Sequence, residues 1–275
     1  MTGGTRRAIG IFDSGVGGLS VLQEIVRQLP HESILYLADS VHVPYGDRAL
    51  EEIREFSRTI TSFLIEQGAA VVVVACNTAS AAALHLLRAE CDLPIVGMEP
   101  AIKPAVQRSQ SRHVGVIATQ TTFQGELFAQ LVERFAQDVT VHMGVCPGLV
   151  ERVESGLVDS PETEAILREC LTPMLEAGID SLVLGCTHYP FLRPAIERVL
   201  ASARSDAVVI DPAPAVARQT GRVLASLGGQ GDGVRREVRL FTSGDPALFG
   251  EKAALLAGIQ GPVQRVYWDS GRLST

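Results

Sequence analysis

Only two lysines occur in the 275 residues, Lys103 and Lys252. Pyridoxal phosphate is held through a Schiff-base lysine, but Lys103 stands next to a proline and Lys252 lies far out in the C-terminal region. Neither sits on a loop suited to that cofactor. The chain also lacks a dense basic stretch to offset its formal net charge of −7, which argues against nucleic acid and anionic membranes as partners. No apolar run approaches the roughly 20 residues needed to cross a bilayer. The first one, residues 8–12, stops at Asp13, too soon for a signal-peptide core. These absences point to a cytoplasmic chain. Its cysteines, Cys76, Cys91, Cys146, Cys170 and Cys186, are odd in number, widely spaced and free of any CxxC pairing. That argues against a disulfide framework and a zinc site, and each is expected to be a free thiol.

What is present is 46% hydrophobic and 20% charged, the balance of a folded domain with a sizeable core. Short β-branched runs alternate with helical patterns. Strands are expected over residues 8–12, 34–37, 71–75, 95–98, 113–118, 181–184, 208–210 and 264–267. Helices are expected over 50–67, with Ile53, Phe56, Ile60, Phe63 and Leu64 on one face, and over 161–177, with Ile166, Cys170, Leu171 and Met174 as the stripe. Residues 192–200 and 214–227 read the same way. Val71–Val74 is apolar on both faces, as in a sheet covered by helices on each side. The pattern predicts an α/β fold with mostly parallel sheets. Turn-forming groups at Gly97–Pro100 and Asp211–Pro214 interrupt it twice. The organisation they suggest is one domain of residues 1–99 plus 211–275, carrying Cys76, and a second of 100–210, carrying Cys186.

A faint echo joins Val71–Thr78 to Ser181–His188: an apolar strand, a small residue, a cysteine, then polar residues. A cysteine at the carboxyl end of a parallel strand sits on the ligand-binding edge of an α/β sheet, and a following helix can lower its pKa. Most free cysteines are simply small buried hydrophobes. That reading fits Cys91 and Cys170, and Cys146 leans the same way. Cys76, with Asn77, Thr78 and Ser80, and Cys186, with Thr187, His188 and Tyr189, keep polar company a core cysteine has no use for. Two matched thiols suit inversion of an sp³ carbon without redox chemistry. One group removes a proton from one face and the other delivers one to the opposite face.

The glycine-rich segment Ile9–Gly18 invites a dinucleotide reading, with Asp39 as the ribose-binding acid, but the third glycine of the fingerprint is replaced by Ser20. Alternatively its N–H groups bind a small carboxylate, with Asp13 facing a substrate ammonium or a thiol. Plainer still, Asp13 caps a helix. Pro44-Tyr45-Gly46 is either an ordinary turn or a set of backbone donors. Thr119, Thr121 and Thr122 could cap a helix or touch a ligand. Glu151 and Glu154 would ordinarily be surface acids, and His188 could act on Cys186.

Phe12–Val21, Pro44–Gly46, Ala75–Ala79, Gly97–Ala101, Gly185–Pro190 and Thr242–Pro246 together resemble the signature segments of glutamate racemases, in order over nearly the whole chain. The cysteine segments are shared more widely among amino-acid racemases of that superfamily, whereas Asp13–Gly18 is more particular to the glutamate branch. The resemblance implies two doubly wound α/β domains facing each other across an active-site cleft. It implies Cys76 and Cys186 as the acid/base pair, Asp13 beside the first, and Glu154 and His188 beside the second, with Glu151 a competitor to Glu154. Substrate contacts would fall on Asp13, Ser14, Pro44, Tyr45, Gly46, Asn77, Thr78, Thr122 and Thr187. Family members often carry serine where this chain has Gly125. The resemblance further implies no cofactor, no metal, a homodimer, and D-glutamate made for peptidoglycan. Other readings are a racemase of another acidic amino acid such as aspartate, a non-catalytic amino-acid-binding protein, and a dinucleotide-dependent oxidoreductase.

Overall fold

The computed structural model describes residues 8–228 and 237–275. The described chain divides into two compact units: residues up to Met98 together with those from Ala213 onward, and Glu99–Pro212.

In the first unit the chain runs through β1 (Ala8–Asp13), α1 (Leu19–Gln28), β2 (Ser33–Ala38), α2 (Leu50–Glu66), β3 (Ala69–Val74), α3 (Asn77–Glu90) and β4 (Ile95–Gly97). The second unit contains α4 (Ile102–Arg108), β5 (His113–Ala118), α5 (Gln120–Gln124), α6 (Glu126–Phe135), β6 (Thr140–Gly144), α7 (Leu149–Glu154), α8 (Pro161–Glu176), β7 (Ser181–Gly185), α9 (Arg193–Ser202) and β8 (Val208–Ile210). The first unit is then completed by α10 (Ala213–Ser226), β9 (Val238–Thr242), α11 (Pro246–Ala257), β10 (Val263–Arg265), β11 (Tyr267–Asp269) and β12 (Arg272–Ser274).

The first unit's sheet has the order β10-β9-β2-β1-β3-β4 and the second unit's the order β6-β5-β7-β8, with every pairing in both parallel. Parallel strands need crossover connections, and the helices that supply them cover both faces. The strands are accordingly apolar throughout: all six residues of β1 are buried, and Val71, Val72, Val73 and Val74 of β3 have no exposed surface. Helix α2 lays Ile53, Ile60, Phe63 and Leu64 on this sheet, with Phe56 half-buried beside them. Burying each such side chain is worth about 1.5–3 kcal/mol. The second unit has its own core, in which Val114, Val116 and Val183 meet Ile102, Phe128 and Ala136.

Both units share one winding. The first strand of each, β1 or β5, lies inside the sheet, the second strand pairs on one side of it, and the third pairs on the other. The point where strand order reverses is therefore between β1 and β3 in one unit and between β5 and β7 in the other, which is where open α/β sheets bind ligands. Cys76 follows β3 and Cys186 follows β7. The sequence echo around the two cysteines thus reflects equivalent positions in two equivalent sheets.

Several expectations need correction. Strand β6 is only half-covered at the edge of its sheet, so it lacks the buried run by which the other strands are recognised. Strand β9 begins in the charged context of Glu237 and Arg239 and is also missed by pattern. The strand expected over 264–267 breaks at the buried Val266: β10 pairs with β9, whereas β11 turns into an antiparallel hairpin with β12. Helix α8 buries Leu171 and Met174 as expected, but Thr163 and Leu167 complete its inner face, while Ile166 and Cys170 are half-covered at the edge of it. Cys170 meets Cys146 there, and the two form a disulfide with Cα atoms 5.6 Å apart, contrary to the expectation of free thiols. Gly144 makes room for it, since a Cβ there would lie 2.3 Å from Met174 Cε and 3.2 Å from Cys170 Sγ. Cys76, Cys91 and Cys186 form no disulfide.

Candidate active site

In the first unit the candidate residues gather at the carboxyl ends of β1, β2 and β3. The Ala75 amide donates to the Phe12 carbonyl at 2.8 Å, which carries the β1–β3 pairing to the threshold of Asp13 and Cys76. Asp13 is wholly buried and its Oδ2 accepts from the Gly15 amide at 3.0 Å. It is not the cap of α1, a place taken by Gly18. Gly18 has to be glycine, because a Cβ would lie 2.6 Å from the Asp13 Cβ and 2.8 Å from the Tyr36 hydroxyl. That hydroxyl donates to the Gly15 carbonyl at 2.9 Å, fixing the loop that carries the buried Ser14.

Cys76 is the N-cap of α3. Its sulfur accepts from the Ala79 amide at 3.4 Å, and it stands at the positive end of a 14-residue helix. Such a place favours a thiolate. Asn77 and Thr78 are buried beside it. Both the nitrogen and the oxygen of the Asn77 side-chain amide are buried without a hydrogen-bond partner among the described residues. An unpaired buried amide costs about 1–3 kcal/mol, and the Asn77 side chain keeps its full hydrogen-bonding capacity unused. The Ser80 hydroxyl is used structurally, donating to the Val74 carbonyl at 3.2 Å and accepting from the Met98 amide at 2.9 Å.

Pro44 follows a cis peptide bond, and Tyr45 and Gly46 form a short 3-10 turn with Asp47. The Tyr45 phenol is buried and donates to Asp39 Oδ2 at 2.7 Å. Burial first, then the charge and hydrogen bond of Asp39, then the charges of Cys76 and Asp13 push its pKa well above the usual phenol range. Tyr45 therefore stays neutral, and its hydroxyl serves Asp39.

Asp39 is the residue whose role the sequence concealed. Its Oδ1 accepts from Ser243 Oγ and Trp268 Nε1, both at 2.8 Å, and its Oδ2 meets Tyr45 and, at 2.9 Å, His42 Nδ1. A carboxylate has about four lone-pair sites, and all are engaged, so the ribose-binding role considered for Asp39 is overturned. The network binds the ends of β2 and β9, the Pro44–Gly46 loop and the C-terminal hairpin. Nothing in local spacing reveals partners up to 229 positions apart.

In the second unit the equivalent edge carries Thr119, Thr122, Cys186, Thr187 and His188. Thr119 caps α5, accepting from the Thr122 amide at 3.3 Å, and the two hydroxyls lie 2.9 Å apart. Gly125 joins α5 to α6. Thr122, Cys186, Thr187 and His188 are all buried. Cys186 is followed by a 3-10 turn at Tyr189–Leu192, with α9 beginning only at Arg193, so it lacks the helix cap that Cys76 enjoys. His188 stands in its place: Nδ1 lies 3.6 Å from Cys186 Sγ and Nε2 lies 2.8 Å from Glu154 Oε1. Burial disfavours the imidazolium, but the hydrogen bonds and charges of Cys186 and Glu154 outweigh it, and the His188 pKa is raised well above the usual histidine range. Glu154, not Glu151, reaches His188. Glu151 is exposed, and its charge acts on Tyr189, whose pKa is raised by burial first, then by Cys186 and Glu151.

The lysines are elsewhere. Lys103 is on α4, with its ammonium 5.5 Å from the centre of the Phe135 ring, and Lys252 is on α11. Among the described residues no group of three or more His, Cys, Asp or Glu could hold a metal ion, and no helix is long and apolar enough to cross a membrane.

Residues 9–220 match the model of the Asp/Glu/hydantoin racemase family. The chain belongs to the aspartate/glutamate racemase family. A glutamate racemase of Stutzerimonas stutzeri is 50% identical over 253 residues, covering 91% of this chain and 94% of that one, and one of Roseiflexus sp. is 45% identical with 97% of each covered. Among solved structures, a glutamate racemase of Bacillus anthracis superposes with a TM-score of 0.87 at 34% identity, covering 98% of this chain and 100% of that one. A glutamate racemase of Francisella tularensis in complex with D-glutamate does so with a TM-score of 0.84 at 28% identity, covering 97% and 99%. Racemases are isomerases, and the family resemblance read from the signature segments extends over both α/β units.

Proposed function

We propose that this chain interconverts L- and D-glutamate without a cofactor, with Cys76 and Cys186 as the two proton-transferring groups. The observation that carries the reading is the equivalence of the two buried thiols, each at the strand-order reversal of its own sheet. In one direction a thiolate removes the α-hydrogen from one face and the other thiol delivers a proton to the opposite face. In the reverse direction the roles exchange, so each turnover needs one thiolate and one thiol. The two are supported differently. Cys76 draws on the N-terminus of α3 and the Ala79 amide. Cys186 draws on His188, whose raised pKa keeps an imidazolium next to the sulfur and whose far nitrogen is held by Glu154. Removing the α-hydrogen drives negative charge onto the substrate carboxylate, and the unpartnered Asn77 amide is a ready donor for it.

Asp13, Ser14, Pro44, Tyr45, Gly46, Thr78, Thr122 and Thr187 would complete the substrate contacts, Tyr45 through its backbone because its phenol is engaged with Asp39. The chain would work as a cytoplasmic homodimer that supplies D-glutamate for peptidoglycan. An aspartate racemase is the nearest alternative, since one methylene is worth only about 1–3 kcal/mol of discrimination. A binding protein would have no need of the thiols. The test is to incubate purified protein with L-glutamate, adding no pyridoxal phosphate, nucleotide or metal, and to follow optical rotation. Decay to zero rotation at a 1:1 mixture is expected, with L-aspartate racemised far more slowly. An unchanging signal, or activity lost to a chelator and restored by metal, would contradict the proposal.

A further inference from the structure

Glu154 is the last residue of α7, a helix of only six residues and far too short to be stable by itself. Left-handed glycines bound it, Gly148 with φ 85° and Gly156 with φ 72°, and it buries just Leu149 and Val153. Yet its end has to hold a 2.8 Å hydrogen bond to His188.

The anchoring comes from Arg152. Its Nε donates to Thr163 Oγ1 at 3.0 Å, and its Nη2 donates to Ser160 Oγ at 2.6 Å and to Glu162 Oε2 at 3.1 Å. Thr163 is wholly buried and donates onward to the Leu157 carbonyl at 2.6 Å, while the Leu157 amide returns to the Arg152 carbonyl at 2.8 Å. The hydrogen bonds close a ring through the end of α7, the Gly156 turn and the capped start of α8. Two residues apart on a helix, Arg152 and Glu154 face opposite ways, so the guanidinium grips α8 while the carboxylate is aimed at His188. The side-on fork of arginine, with Nε and Nη2 donating in one plane, is a shape that lysine cannot supply.

We infer that Arg152 is a positioning residue for the Cys186 half of the reaction: it fixes the end of α7 so that Glu154 holds His188 against the thiol. The inference rests on the proposed two-cysteine racemisation. Arg152→Leu and Arg152→Lys should both lower turnover by roughly ten- to a hundredfold, the scale of an ångström-sized misplacement, with the circular dichroism spectrum unchanged. Thr163→Val, which keeps the arginine and removes its buried acceptor, should act in the same direction. Because the two enantiomers are equal in free energy, kcat/KM falls equally from either side, but the primary isotope effect of α-deuterated glutamate does not change equally. It should rise for the enantiomer deprotonated by Cys186 and shrink for the one deprotonated by Cys76, whose slow step becomes reprotonation from the impaired side. A merely structural arginine would lower the melting temperature and leave both isotope effects at their wild-type values, and that result overturns the inference. Cys186→Ala, assayed alongside, separates the failures. If it is inactive while the isotope effects of Arg152→Leu are unchanged, the role of Arg152 alone falls. If it racemises normally, the two-cysteine reading falls with it.

Discussion

At the scale of single residues, the two thiols look alike in sequence and are supported by different means. Cys76→Ala and Cys186→Ala should each abolish racemisation, since a positioned acid or base is worth about 10²–10⁴-fold and both are needed in one turnover. Near-normal turnover in either variant would refute the assignment. His188 adds a prediction about stability. Its proton is held more tightly in the folded chain than in the unfolded one. The native state therefore gains from it in full below about pH 6.5, and the gain is lost as pH rises through the raised value. The difference in unfolding free energy between wild type and His188→Asn should shrink as pH climbs from 6, and a difference independent of pH would contradict the proposed pairing. The cysteine, asparagine and histidine of this account stand in segments legible from sequence alone. The Asp39 cluster was not legible, because its donors come from Tyr45, Ser243 and Trp268, which only the sheet order brings together.

At the scale of elements, strands buried on both faces show as unbroken apolar runs, and β1, β2, β3, β5 and β7 lie within a residue or two of where the pattern puts them. What escaped were elements held by their neighbours rather than by their own pattern: the half-exposed edge strand β6, the charged start of β9 and the small C-terminal hairpin. In α8 the pattern places Leu171 and Met174 correctly but takes Ile166 for an inward residue where Leu167 faces the core. The Cys146–Cys170 disulfide sits at the edge of that face, beside the gap left by Gly144, and no CxxC spacing foretells it. Across a separation of 24 residues, such a link stabilises by about 2–4 kcal/mol. Replacing both cysteines by alanine should lower the denaturant midpoint accordingly while Cys76 and Cys186 remain open to alkylation. If peptide mapping without reductant finds Cys146 and Cys170 as free thiols and the double variant melts like wild type, the link is absent in solution.

At the scale of the whole molecule, one winding occurs twice in the chain, and in each copy a cysteine follows the third strand. Cys76 belongs to one unit and Cys186 to the other, and in the proposed reaction the two thiols divide the work. Racemising L-glutamate in D₂O and stopping early decides whether they do. A thiol carries a single hydrogen. The donor has already exchanged with solvent, while the base returns the hydrogen it took only to the face from which it came. The D-glutamate first formed should therefore carry deuterium at the α-carbon, and the recovered L-glutamate should be nearly unlabelled. Substantial protium at the α-carbon of that early D-glutamate would mean that one group serves both faces, and would contradict the two-cysteine account.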